Sequence, residues 1–148
     1  RAAKRGLSKE QVPVLVARDR SGATANVMLV ADGKADLVAA LKPLLPSDTI
    51  LCTDGSSVLA AAAKEMGVTH RPVNVSAGRR VIAGVYHIQN VNAFDSRLKN
   101  WIRRFNGVAT KYLDAYLGWF RTLDRSAPAG LLPASLLALA INSNTVLN

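Results

Sequence analysis

The chain has 148 residues, enough for one buried core and too few for two large domains. Hydrophobic residues make up 49% and charged residues 20%, a globular balance that excludes a disordered chain, and the longest apolar stretch near the C-terminus, Leu136 to Ile141, is far too short to cross a bilayer. Nineteen Lys and Arg against ten Asp and Glu give a net charge of +9, and one cysteine, Cys52, leaves no internal disulfide or zinc cluster.

The first element is a hairpin. Val12 to Ala17 is a continuous apolar run, Asp19-Arg20-Ser21-Gly22 is turn-prone, and a second run spans Ala23 to Ala31. Pro13, with no backbone donor, belongs at the start of its strand. Leu37, Val38, Leu41, Leu44 and Leu45 then fall at helical spacing, and Pro43 ends the regular helix near Lys42. Thr49 to Thr53 reads as a short strand. Asp54-Gly55-Ser56-Ser57 leads into an alanine-rich helix over about Val58 to Met66, with Ser56 or Ser57 as its cap and Gly67 as its stop. Thr69 to Val75 alternates as a further strand. The segment from Ser76 to His87 reads as an irregular basic loop or a short hairpin.

A long helix begins near Asn90. Val91, Phe94, Leu98, Trp101, Ile102 and Phe105 lie at offsets of 3, 7, 10, 11 and 14 from the first, a one-sided apolar stripe. Asn106-Gly107 ends it, and another helix spans about Lys111 to Leu123. Residues 1–127 read as one domain; Pro128 to Gly130 reads as a linker to a last short helix around Leu136, within residues 128–148. This order predicts an α/β fold with a mixed sheet, whose ligand sites lie beyond the carboxyl ends of its parallel strands.

Charge is unevenly placed. Residues 1–20 carry six basic and two acidic groups, residues 21–75 four and five, and residues 76–125 nine and three. Basic ends around a neutral middle favour a polyanionic partner, nucleic acid first, over a merely solvated basic surface.

Asp54 stands where a strand meets a helix, so its carboxylate is either a hard oxygen ligand at the sheet rim or a helix-capping group. On the long helix, at about 100° per residue, Asn92, Ser96, Lys99 and Arg103 gather within about 60° of arc opposite Phe94, Trp101 and Phe105. That polar row is either a solvated face or a functional one. Asn lacks a propensity reason to sit inside a helix, and its carbonyl oxygen can coordinate a metal. His87 is open to a structural or a phosphate-facing role, and His70 reads as structural. Core packing accounts for most of Trp101, Phe105, Tyr112, Tyr116, Trp119 and Phe120.

The string from Tyr86 to Lys99, continued from Trp101 to Leu113, resembles bacterial insertion-sequence transposases of the DDE superfamily. It is similar to the branch whose signature is Asp, Asp, Asn or Glu, then Lys. Asn92 and Lys99 match that branch's third position and the Lys seven residues later. Thr53-Asp54-Gly55 resembles the end of the strand with the second aspartate, and the segment Val73 to Gly78 resembles the stretch between motifs; the likeness spans roughly residues 5 to 125.

The resemblance implies an RNase H-like mixed sheet flanked by helices and metal-dependent cutting and joining of DNA. Asp54 and Asn92 would hold Mg²⁺ or Mn²⁺ in a two-metal site. Lys99 would stand beside the DNA phosphates, with Arg103, Arg79 and Arg80 as backbone contacts. It also implies that Arg1 to Arg5 lies in a linker after the strand with the first aspartate, so that this chain lacks one ligand and one sheet edge. Implied partners are transposon-end and target DNA and a second copy of the chain, in the bacterial cytoplasm at the nucleoid, without a membrane. A DNA-binding remnant without catalysis and an RNase H-like nuclease remain the alternative readings.

Overall fold

A computed structural model of the chain describes residues 11–73, 78 and 81–127. The basic segment at Arg1 to Arg5, the continuation of the fourth strand to Val75, Arg79, Arg80 and the elements expected beyond Pro128 lie outside the described residues. The chain is mixed α/β, as the pattern predicts. In chain order come β1 (Val14–Arg18), β2 (Thr24–Met28), α1 (Lys34–Leu41), β3 (Ile50–Thr53), α2 (Ser57–Met66), β4 (Thr69–Pro72), α3 (Gln89–Arg103) and α4 (Thr110–Ser126).

Among the described residues the strands form two separate two-stranded sheets, β1 with β2 and β3 with β4, in place of the single mixed sheet expected. Asp19 N–H donates to Ala23 O at 3.0 Å near the turn, and Leu29 N–H donates to Pro13 O at 2.9 Å at the open end, as in an antiparallel hairpin. Pro13 uses only its carbonyl there, which is all a proline can offer. β2 stops at Met28, short of the apolar run, and Val30 is 96% exposed. β3 and β4 are parallel, in register Ile50 with Thr69 through Thr53 with Pro72, and α2 is their crossover.

Two compact units divide the chain. The first takes the residues up to Val16 with Val27–Asn90, the second Ala17–Asn26 with the chain from Val91 onward. In the first, α1 packs on α2. Leu37 and Leu41 of α1 and Ala62 and Ala63 of α2 are buried, together with Val73 and Ile88. Alanine at both α2 positions leaves room for close approach of a neighbouring element. Lys34 pairs with Glu65 at 2.6 Å between the two helices, at a half-exposed position where such a pair adds little. α1 ends at Leu41 with Lys42 as its C-cap, one residue before Pro43. Gly67 closes α2 in the left-handed conformation, its N–H donating to Lys64 O at 3.2 Å. Ile82 and Tyr86 form an isolated antiparallel bridge, and the Arg71 guanidinium lies 5.7 Å from the centre of the Tyr86 ring.

In the second unit α3 buries Phe94 and Leu98, and α4 buries Leu117 and Phe120. Phe94 meets Phe120 edge to face at 5.3 Å. Trp101 is the hub of the remaining rings, 4.8 Å from Phe105, 5.1 Å from Trp119 and 5.4 Å from Phe120. The core reading holds for most of these aromatics, with Tyr112 and Trp119 half exposed. Asn106 and Gly107 both take positive φ, 52° and 120°, and turn the chain from α3 into α4. Asn26, only 5% exposed, donates from Nδ2 to Leu117 O at 3.3 Å and accepts from Arg121 Nη1 at 2.7 Å. The Asp124 carboxylate, 8% exposed, accepts from Arg18 Nη1 at 2.8 Å and from Arg97 Nε at 2.8 Å. Two guanidiniums thus share one buried carboxylate, the compensation such a charge requires.

Candidate functional site

Asp54 follows the last residue of β3 directly. β4 holds that strand end, since Val73 N–H donates to Thr53 O at 2.7 Å. Beyond it the chain turns through Gly55, whose φ of +87° suits glycine. Two side-chain oxygens fix the turn. Gly55 N–H donates to Thr53 Oγ1 at 3.3 Å, and Ser56 N–H donates to Asp54 Oδ1 at 3.1 Å. Ser56 is the N-cap of α2 but makes no side-chain cap bond. The side-chain cap expected of Ser56 or Ser57 is absent, and the Asp54 carboxylate, two residues before Ser56, instead bonds the N–H of the N-cap residue ahead of the helix. The carboxylate itself is exposed, so it stands at the carboxyl end of a parallel strand with a turn bond on one oxygen.

Behind that turn, Thr53 is buried, and its Oγ1 lies 2.8 Å from His70 Nε2, a hydrogen bond whose direction follows the ring tautomer. His70 is opposite Leu51 in the register, one residue before the position facing Cys52. Sequence reading left His70 as structural and did not single out Thr53. Its one available signal was a threonine placed at a strand end next to an aspartate.

Asn92, Ser96, Lys99 and Arg103 are all exposed along α3, with Phe94 and Leu98 buried on the same helix. The polar row is thus a true helix face. Lys99 is not solitary on it: Nζ pairs with Asp95 Oδ2 at 2.6 Å, in the favourable order with the acid four residues earlier. Asp95 went unnoticed beforehand, although the i, i+4 spacing shows it. Asp54 stands in the first unit, and Asn92, Lys99 and Arg103 stand in the second. His87 precedes α3, with its Nδ1 buried and without a hydrogen-bond partner. Among the described residues, no three His, Cys, Asp or Glu side chains gather as a metal-binding group, and no helix is long and apolar enough to cross a membrane.

Residues 1–121 match the family model described as the ISXO2-like transposase domain, which covers most of the chain, including Asp54, Asn92, Lys99 and Arg103. The chain belongs to the ISXO2-like transposase domain family. No curated protein and no solved structure matches it significantly. Membership in the ISXO2-like family gives the chain a transposase function, in an enzyme class that cleaves and transfers DNA, and makes DNA its partner. The insertion-sequence resemblance carried by Tyr86 to Leu113 is the same assignment reached from the residues.

Proposed function

We propose that this ISXO2-like domain cuts insertion-sequence ends and joins them to target DNA, with Asp54 and Asn92 as oxygen ligands of divalent cations and Lys99 as a phosphate contact. The observation that carries this reading is the exposed Asp54 carboxylate, held by Ser56 N–H at the end of a parallel strand inside a matched transposase domain. Its chemistry fits Mg²⁺ or Mn²⁺, since the carboxylate is a hard anionic oxygen on a fixed turn; the exposed Asn92 carries a neutral amide oxygen of the same hard class. Bound there, such ions supply Lewis-acid stabilisation for an in-line displacement at phosphorus.

The protein's own groups do the positioning. The attacking oxygen belongs to water in cleavage and to a 3′-hydroxyl in joining; in either case the P–O bond opposite breaks as the new one forms. Lys99 leaves Asp95 for a non-bridging phosphate oxygen near that bond, and Arg103, one helical turn further along α3, holds the backbone beyond it. Arg79 and Arg80 add backbone contacts in the same reading. Asn92 in place of an acid lowers the ligand charge by one, which weakens cation affinity. Two copies of the chain pair two DNA ends in the cytoplasm.

The experiment is a Mn²⁺ titration together with an end-joining assay on labelled duplexes. Asp54→Ala and Asn92→Ala should each weaken Mn²⁺ binding, Asn92→Asp should tighten it, and duplex binding should survive all three. Wild-type Mn²⁺ affinity in Asp54→Ala would remove the ligand role. Cleavage without joining into a second duplex would assign the domain to nucleases, and duplex binding without either reaction would leave a DNA-binding domain.

A further inference from the structure

We infer that Thr53 and His70 are positioning residues for the Asp54 carboxylate, a conclusion that rests on the metal-ligand reading of Asp54. The chain of contacts is short. His70 Nε2 lies 2.8 Å from Thr53 Oγ1, the same oxygen accepts Gly55 N–H at 3.3 Å, and Gly55 is the residue through which the Asp54 turn reverses. Thr53 is 7% exposed, so its hydroxyl has no ready exchange with water, and His70 satisfies it from the neighbouring strand.

The strand pairing alone does not require this bond. β3 and β4 are already in register by backbone, and Val73 N–H already caps the Thr53 carbonyl. What the side-chain bond adds is a fixed Thr53 rotamer. With Oγ1 held by His70, its acceptor lone pair points at Gly55 N–H and the turn has one geometry. Without it, the hydroxyl can rotate away and Asp54 gains freedom. Groups hydrogen-bonded directly to a ligand typically set metal affinity by about tenfold or more; Thr53 and His70 act one step further out, through the backbone of the Asp54 turn, so about tenfold is their upper bound. Neither residue touches the cation or the DNA in this scheme.

The test uses the whole chain, with free Mn²⁺ followed by electron paramagnetic resonance and amide hydrogen exchange read at Gly55 and Ser56. Thr53→Val and His70→Phe keep a similar shape and remove the bond; each should weaken Mn²⁺ binding by up to about tenfold and speed exchange at both amides. Thr53→Ser and His70→Gln keep a hydrogen-bonding atom in reach and should restore wild-type affinity. The Thr53→Val/His70→Phe double variant should be no weaker than the weaker single, because both cut one chain of contacts.

Thr53 is buried, so the two His70 variants decide the matter even where Thr53→Val fails to fold. Wild-type Mn²⁺ affinity in His70→Phe, beside a loss in Asp54→Ala, overturns the positioning role and leaves the ligand role intact. Equal losses in His70→Gln and His70→Phe overturn it too, since packing rather than the bond would then matter. Wild-type affinity in Asp54→Ala removes both readings together.

Discussion

Replacing Lys99 with Gln removes one cation from an exposed position on α3 without touching the core, so its effect on DNA binding can be worked from one contact and one ion pair. A single phosphate contact adds about 0.9 to the slope of log affinity against log salt, or about eightfold in affinity at 0.1 M relative to 1 M salt. Lys99 starts from a 2.6 Å pair with Asp95, however, and must leave it. An exposed i, i+4 pair contributes about 0.3–0.5 kcal/mol, about a factor of two. The net loss in Lys99→Gln is therefore about fourfold at 0.1 M salt. Asp95→Asn should gain about twofold, and Lys99→Gln in that background should lose the full eightfold or so. Fluorescence anisotropy on a short duplex, from low to moderate salt, gives affinities and slopes for all four proteins. If Lys99→Gln keeps both the wild-type affinity and the wild-type slope, Lys99 makes no phosphate contact; if the two losses are equal, Asp95 does not hold it.

Three further outcomes follow from the second unit. Asp124→Ala should cost about 3 kcal/mol in urea unfolding, at the low end for a broken buried pair because Arg97 is half exposed, whereas Arg97→Ala should cost less than about 1 kcal/mol; equal losses would refute the shared-carboxylate account. Phe94→Ala should cost about 3–5 kcal/mol and Tyr112→Ala no more than about 0.5 kcal/mol, since the first ring is fully buried and the second half exposed, and a thermal-unfolding series ranks them. The Asp19 carboxyl is held below the ordinary aspartate value by the Ser21 hydroxyl first, and by backbone N–H groups of Ala23, Ser21 and Gly22. A depressed folded value means that its contribution to the hairpin turn is complete above the unfolded value, about 3.9, and fades as pH falls through the folded one. Asp19→Asn should flatten that acid-side loss, as judged by amide exchange at Ala23; an unchanged acid profile would contradict it.

What the sequence revealed was local. The α3 stripe through Phe94 and Leu98, the stop at Gly67, the reversal at Asn106-Gly107 and the end of α1 before Pro43 all depend on neighbours within a turn or two of chain, where periodicity and backbone preference act directly. Asp54, Asn92 and Lys99 were legible as candidates through the resemblance of Thr53-Asp54-Gly55 and the string from Tyr86 to Leu113 to transposase motifs; local rules alone left each open to a capping or solvated reading. What stayed hidden was set at a distance. The Thr53–His70 bond joins residues 17 apart across two strands, and the Arg18–Asp124 pair joins residues 106 apart. Neither carries a periodic trace. Asp95 and Lys99 are the exception, a pair that the i, i+4 spacing writes plainly.

The shared carboxylate bears on where this domain can be cut. The family match stops at residue 121, three positions before Asp124 and five before the buried Ser126. A protein shortened to that boundary would keep both arginines and lose the only anion either is paired with among the described residues. Arg18, 17% exposed, would be left with the Thr24 hydroxyl and the face of Phe94 as its company. Among the described residues, keeping that carboxylate with both arginines takes the chain past its recognised edge, into the last turn of α4.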